Sequence, residues 1–266
     1  CTNTATTTLV VNPIIPVSVS IAASPSLSIC TGTSVTFTAT PTNGGSAPAY
    51  QWYLNGVAQT GETAATYTTS ALVDGDQVYV TLGSDVTCPS ANPATSNTLT
   101  ITVTGAIAAT ATISESANNV CAGTSVTYTV AQTGGGSTPN YEFFVNSTSV
   151  QNGLGNTYSY VPANGDVVYV IMTSSFACAT GSPYTTSSIT MTINALPSAP
   201  SITAGGATSF CPGGSVTLTS SYTGGNVWSN AATTDAITVS ASGSYTVTYT
   251  DGNGCTISTS FAINQP

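Results

Sequence analysis

The sequence predicts an all-β fold built from tandem antiparallel β-sandwich modules. Three observations predict it. One phrase recurs three times: CTGTSVTFTA at 30–39, CAGTSVTYTV at 121–130 and CPGGSVTLTS at 211–220. Within each copy the hydrophobic period is two, as where Val35, Phe37 and Ala39 alternate with Ser34, Thr36 and Thr38, the pattern of a half-buried strand. No helical period occurs, and clusters such as PTNGGSAP (41–48) and TGGGSTP (133–139) separate the alternating runs with residues that favour turns.

The elements follow in chain order. Residues 1–12, CTNTATTTLVVN, resemble the tail of a preceding copy, and the chain reads as an internal segment of something longer. Residues 13–104 and 105–194 are two full copies at an offset of about ninety residues. YQWYLNG (50–56) answers to YEFFVNS (141–147), DGDQVYVTL (74–82) to NGDVVYVIM (164–172), and CPSANPATSNTLTITV (88–103) to CATGSPYTTSSITMTI (178–193). In the first copy Leu99, Ile101 and Val103 alternate with Thr98, Thr100 and Thr102. Residues 195–266 form a shorter copy that keeps CPGGSVTLTS, the lone Trp228 and ASGSYTVTYTDGNGCTISTSFAI (241–263). DGNG (251–254) between alternating runs is a hairpin signal. About seven short strands per full copy suit an antiparallel sandwich.

Composition excludes whole classes of function. The 266 residues contain no Lys, Arg or His and nine acids, for a net charge of −9. Nucleic-acid binding draws on cations that meet phosphate, so the chain lacks its main source of affinity. Ser-His-Asp and Cys-His catalysis lack a base, and His-ligated zinc lacks its ligand. Two-carboxylate hydrolysis remains, but the acids are scattered singly, most of them in turn-like contexts, so no enzyme and no cofactor is expected. Although 41% of residues are hydrophobic and 3% charged, no apolar run approaches the ~18 residues of a spanning helix, and no membrane insertion is expected in this segment.

The order C-x-G-x-S-V-T-hydrophobic-T, Y-x-W-x-x-N-G, N/D-G-D-x-V-Y-V and C-x-x-x-x-P-x-T-S-N/S resembles the immunoglobulin-like repeats of very large Bacteroidetes surface proteins. GSYTVTYTDGNGC in the third copy is similar to the short immunoglobulin-like or PKD-like modules of the same proteins. The resemblance covers almost the whole chain. It implies tandem immunoglobulin-like modules of cell-surface adhesins, gliding-motility adhesins among them, often exported by type IX secretion.

Against that frame Trp52, Phe143 and Trp228 take the place of the buried strand-C aromatic and are expected in the cores. Tyr53 and Phe144 alternate to the opposite face, where a sugar ring could stack. Asp74-Gly75-Asp76 and Asn164-Gly165-Asp166 carry hard oxygen donors, but calcium wants six to eight oxygens and no D-x-[DN]-x-[DN]-G loop is present, so turns are expected and no metal site. Asn146-Ser147-Thr148 is the one N-x-[ST] match.

Seven cysteines fall at 1, 30, 88, 121, 178, 211 and 255, with no C-x-x-C, and in an extracellular chain they imply disulfides. The obvious pairing is within a copy: Cys30 with Cys88, Cys121 with Cys178, Cys211 with Cys255. In an immunoglobulin-like order the strand after Cys30 and the strand before Cys88 run parallel, which puts the two cysteines at opposite poles about 20 Å apart, beyond the ~7 Å reach of a disulfide. That order favours Cys30–Cys178 and Cys121–Cys255 as bonds between neighbouring modules, with Cys1, Cys88 and Cys211 pairing outside the segment. A different strand order restores the within-copy pairs.

The expected function is structural: an extracellular, cell-surface stalk or fibre segment of a bacterial adhesin, holding a binding tip away from the cell and partnered by neighbouring repeats. Two alternatives stay open, a module that binds surface polysaccharide and a subunit of a self-assembling extracellular filament.

Overall fold

A computed structural model of the chain describes residue 7 and residues 9–264, so Cys1 lies outside the described residues. By their internal contacts the residues fall into two compact units, one of Cys1–Ala108 with Phe176–Thr180, the other of Ala109–Ser175 with Gly181–Pro266. Every regular element among the described residues is a β-strand.

In the first unit, Val35–Thr42 lies antiparallel between Ser18–Ser24 and Thr66–Thr69. A second sheet runs Val57–Ala58, Ala49–Leu54, Gln77–Gly83 and Ala94–Thr95, with Leu99–Thr100 also paired to Gln77–Gly83. Alternation makes the layers. Val35, Phe37 and Ala39 are buried while Thr38 and Thr40 are exposed, so the first sheet offers one apolar face. Trp52, Val78, Val80 and Leu82 of the second sheet close the core over it. Three strands facing a sheet centred on the aromatic strand and its antiparallel partner are the layers of an immunoglobulin-like sandwich.

The alternating run at 98–103 is not one strand. Leu99–Thr100 pairs with Gln77–Gly83, whereas Thr102–Thr104 runs parallel to Ser28–Cys30. Ile101, 1% exposed, sits at the switch; its N–H donates to Asp76 O at 2.8 Å and its carbonyl accepts from Gly75 N at 2.9 Å. Thr102–Thr104 thus lies beside the strand that ends in Cys30.

The second unit holds two more sandwiches. In one, Val126–Thr133 lies between Thr110–Glu115 and Thr157–Tyr160. It faces Thr148–Gly153, Asn140–Val145, Val167–Thr173 and Tyr184–Thr185, with Ile189–Thr190 also on Val167–Thr173. Its last strand switches likewise, and Val120–Cys121 runs parallel to Ile193–Asn194. In the other, Ile202–Ala204, Val216–Ser220 and Ala236–Val239 face Asn226–Trp228, Gly243–Thr250 and Thr256–Ile263. DGNG closes the hairpin at the Thr250↔Thr256 pair, held by Asp251 Oδ1, which accepts from Asn253 N at 2.9 Å and Cys255 N at 2.8 Å.

Candidate functional site

The cysteines give the chain its chemistry, and the strand ends position them. Cys30 closes the strand Ser28–Cys30 and pairs in register with Thr104. Thr31 N donates to Thr104 O at 3.0 Å, and Thr33 N donates to Cys30 O at 3.0 Å, closing a turn in which Gly32 takes φ +81°, a conformation glycine enters without strain. The carbonyl of Cys178 accepts from Ile107 N at 3.1 Å, and Ile107–Ala108 runs parallel to Ala179–Thr180. Cys30 and Cys178 are joined by a disulfide with Cα atoms 5.4 Å apart and a sequence separation of 148. Only Gly105 and Ala106 lie between the residue clamped to the Cys30 strand and the residue clamped to Cys178. The bond therefore closes a small ring across that two-residue link, all of it within the first unit.

The second unit repeats the Cys30 half of this arrangement. Cys121 pairs with Asn194; Ala122 N donates to Asn194 O at 2.8 Å and Thr124 N to Cys121 O at 3.1 Å. Cys255, fully buried, sits in the hairpin turn, where its carbonyl accepts from Asp251 N at 3.0 Å. Cys121 and Cys255 form a disulfide with Cα atoms 5.5 Å apart and a separation of 134. Each bond joins the first cysteine of one repeat to the second cysteine of the next.

The geometry explains why Cys30 does not meet Cys88. Cys30 is held beside Thr104, where the repeat ends, whereas the Cys88 carbonyl accepts from Ile15 N at 2.9 Å, where the repeat begins. The strand Gln77–Gly83 separates these poles by about 20 Å. Cys88 and Cys211 are exposed free thiols.

Trp52 and Phe143 are 0% exposed and Trp228 2%. Burial leaves an indole N–H to satisfy; Trp52 donates to Ala64 O at 2.9 Å and Trp228 to Thr234 O at 2.8 Å. Tyr53 and Phe144 are half-buried on the outer faces of their sheets. Tyr53 stacks on Tyr79, centroids 4.7 Å apart and 4° from parallel, and Phe144 on Tyr169 at 4.9 Å and 3°. Each ring thus has one face covered by its cross-strand partner. A third stack, Tyr222 on Tyr249 at 3.7 Å, was not signalled by any aligned motif.

The acidic turns use their oxygens internally. Asp74 Oδ1 accepts from Val103 N at 2.9 Å; Asp76 accepts from Asn55 Nδ2 at 2.7 Å and Val73 N at 2.8 Å. In the second copy Asn164 Oδ1 accepts from Ile193 N at 2.9 Å. Asp166 accepts from Asn146 Nδ2 at 2.8 Å, Ala163 N at 2.9 Å and Tyr160 Oη at 3.1 Å. Partial burial pushes the Asp166 carboxyl up, but those three hydrogen bonds outweigh it and hold the group below the ordinary carboxylate value. Burial, with Tyr128 and Asp166 close by, raises the Tyr160 phenol. No group of three or more His, Cys, Asp or Glu side chains among the described residues is placed to hold a metal ion.

Two residues that carry this arrangement escaped the sequence reading, Asn55 and Asn146. Each has positive φ, 51° and 50°, and bridges two turns. Asn55 Oδ1 accepts from Gln77 N at 2.9 Å while Nδ2 binds Asp76; Asn146 Oδ1 accepts from Val167 N at 3.0 Å while Nδ2 binds Asp166. The Asn in YQWYLNG and YEFFVNS was their signal, and the same contacts engage the amide of the N-x-[ST] match.

No protein-family model and no curated protein matches the chain. Among solved structures it is similar to the human OSCAR ligand-binding domain, at 11% identity and a TM-score of 0.26, over 65% of this chain and 98% of that one. It is also similar to the full ectodomain (Ig1–Ig3) of mouse nectin-like molecule 4, at 11% identity and a TM-score of 0.33, over 90% of this chain and 97% of that one. At such scores the fold rests on the strand order described above.

Proposed function

We propose that the chain is a load-bearing stalk segment of an extracellular bacterial surface adhesin. One observation carries the reading: each disulfide joins the first cysteine of one repeat to the second cysteine of the next, Cys30 to Cys178 and Cys121 to Cys255. A bond within a repeat would stabilise that repeat alone. A bond that spans the link between repeats, as Cys30–Cys178 spans Gly105 and Ala106, carries tension past that link. Disulfides persist in oxidising surroundings outside the cytosol, and with no Lys or Arg the chain offers no cleavage site to trypsin-like proteases there. The motif resemblance places it, in this proposal, among the repeats of large Bacteroidetes adhesins, including the gliding-motility adhesins exported by type IX secretion. Asp74, Asp76 and Asp166 spend their oxygens on turn hydrogen bonds, and the reading assigns the chain no catalytic role. Stacking of Tyr53 on Tyr79 and Phe144 on Tyr169 covers one face of each ring and leaves a sugar only the other, which weighs against polysaccharide binding by these residues.

The test is a tether. A specific protease site inserted between Thr104 and Gly105 is cut while the chain holds a bead to a surface through its two ends. The tether should survive cleavage and part only when reductant is added. Release by the protease alone overturns the load-bearing reading. A glycan array run in parallel should show no retention; binding that Tyr53→Ala or Phe144→Ala abolishes would favour the polysaccharide module instead.

A further inference from the structure

Cys88 and Cys211 take no part in the two joints, yet each stands where a bonded cysteine stands in another repeat. Cys88 follows the strand Gln77–Gly83 as Cys178 follows Val167–Thr173. Its carbonyl accepts from Ile15 N at 2.9 Å, and Ile15 bridges in parallel to Pro89. This is the frame around Cys178, whose carbonyl accepts from Ile107 N beside the parallel pairing of Ile107–Ala108 with Ala179–Thr180. Cys211 precedes Val216–Ser220 as Cys30 and Cys121 precede Val35–Thr42 and Val126–Thr133. Its carbonyl accepts from Gly214 N at 3.0 Å, as Cys30 accepts from Thr33 and Cys121 from Thr124. Two residues earlier Ser209 bridges in parallel to Asn264, just past the last strand, as Ser28–Cys30 runs along Thr102–Thr104.

Both halves of the frame that bonds Cys30 to Cys178 thus recur in this chain around exposed free thiols, one half at each. We propose that Cys88 and Cys211 are complementary halves of one further joint, through which a second copy of this chain docks head to tail, Cys211 of one copy bonded to Cys88 of the next. The two internal joints are the pattern for it, and it rests on reading those disulfides as joints. The two halves differ, so the contact is heterologous, and repeating it joins copies into a row or a ring. Two Cys88 thiols brought together would present the same half twice, with no carbonyl-and-ladder partner for either. The step is thiol–disulfide exchange: one thiolate attacks a disulfide oxidant such as oxidised glutathione and expels one glutathione thiolate, the second protein thiolate expels the other, and the two protons given up by the protein thiols pass to these leaving groups, so two reduced glutathiones are released as the new S–S bond forms.

The experiment uses the whole chain with Cys1→Ser throughout. Cys88→Ser and Cys211→Ser variants, tagged to differ in mass, are incubated separately and together in a glutathione redox buffer. Each alone should stay monomeric, the mixture should yield heterodimer, and nonreducing peptide mapping should join Cys211 to Cys88. The parent with both thiols should give a ladder that collapses with reductant. No dimer in the mixture, or dimers formed equally by each variant alone, overturns the proposal. Because the tether test reads only the internal bonds, a tether that survives cleavage alongside variants that never dimerise rejects the copy joint and leaves the load-bearing reading standing.

Discussion

Pulled from its two ends, the chain should be far shorter oxidised than reduced, and the difference can be worked from connectivity. The loops closed by Cys30–Cys178 and Cys121–Cys255 overlap between Cys121 and Cys178. The shortest covalent route enters to Cys30, crosses to Cys178, runs backwards to Cys121, crosses to Cys255 and leaves. About 97 residue steps then bear load, which at ~3.5 Å each gives a contour of about 340 Å, against about 930 Å for the reduced chain. Removing the second bond with Cys121→Ser leaves a route from Cys178 straight to the end, about 410 Å. Within-copy pairing would give about 370 Å for the parent but about 570 Å for the same variant. Single-molecule force spectroscopy through terminal handles reads these lengths directly. An unfolded contour near 570 Å for Cys121→Ser refutes the pairing on which the load path depends.

Two other outcomes follow from the packing. Trp52→Ala removes a fully buried ring and the indole donor to Ala64 O; it should cost about 3–5 kcal/mol in urea unfolding, and a loss under 1 kcal/mol would contradict its role in the core. The Asp166 carboxyl is held below its ordinary value of 3.8, so its contribution is present above that value and is lost as pH falls through the depressed folded value. The melting-temperature gap between the parent and Asp166→Ala should therefore be steady at neutral pH and narrow in acid; a gap that widens in acid reverses the sign.

The sandwich was legible because strand and turn chemistry are local. Alternation in Val35, Phe37 and Ala39, and the Trp or Phe in YQWYLNG and YEFFVNS, mark the inward faces without reference to anything distant. The switch at Ile101 was not legible, since a run of alternating residues looks the same whether its neighbour changes or not. Only the change of partner, from Gln77–Gly83 to Ser28–Cys30, reveals that the strand leaves its sheet at Ile101. The stacks of Tyr53 on Tyr79 and Phe144 on Tyr169 were hidden for a similar reason: alternation gives the face, while cross-strand register decides which rings touch. Asn55 and Asn146 recur at matching places in YQWYLNG and YEFFVNS, but the hydrogen bonds they make are long-range contacts that no local pattern carries.

Repetition acquires a mechanical meaning from the way the bonds overlap. Along the oxidised route, the strands Val35–Thr42 through Thr102–Thr104 lie on a bypassed loop, as do Ile202–Ala204 through Gly243–Thr250. On the load-bearing proposal, only the stretch between Cys121 and Cys178 would carry tension from one cysteine of a repeat to the other. Cys121 is flanked by the parallel pair Val120–Cys121 with Ile193–Asn194, and Cys178 by the hydrogen bond from Ile107 to its carbonyl. In a longer array with both cysteines of every repeat bonded, each interior repeat would stand in the position of this middle one. Tension would then pass from repeat to repeat through sulfur, and the short backbone links between repeats would be relieved of it.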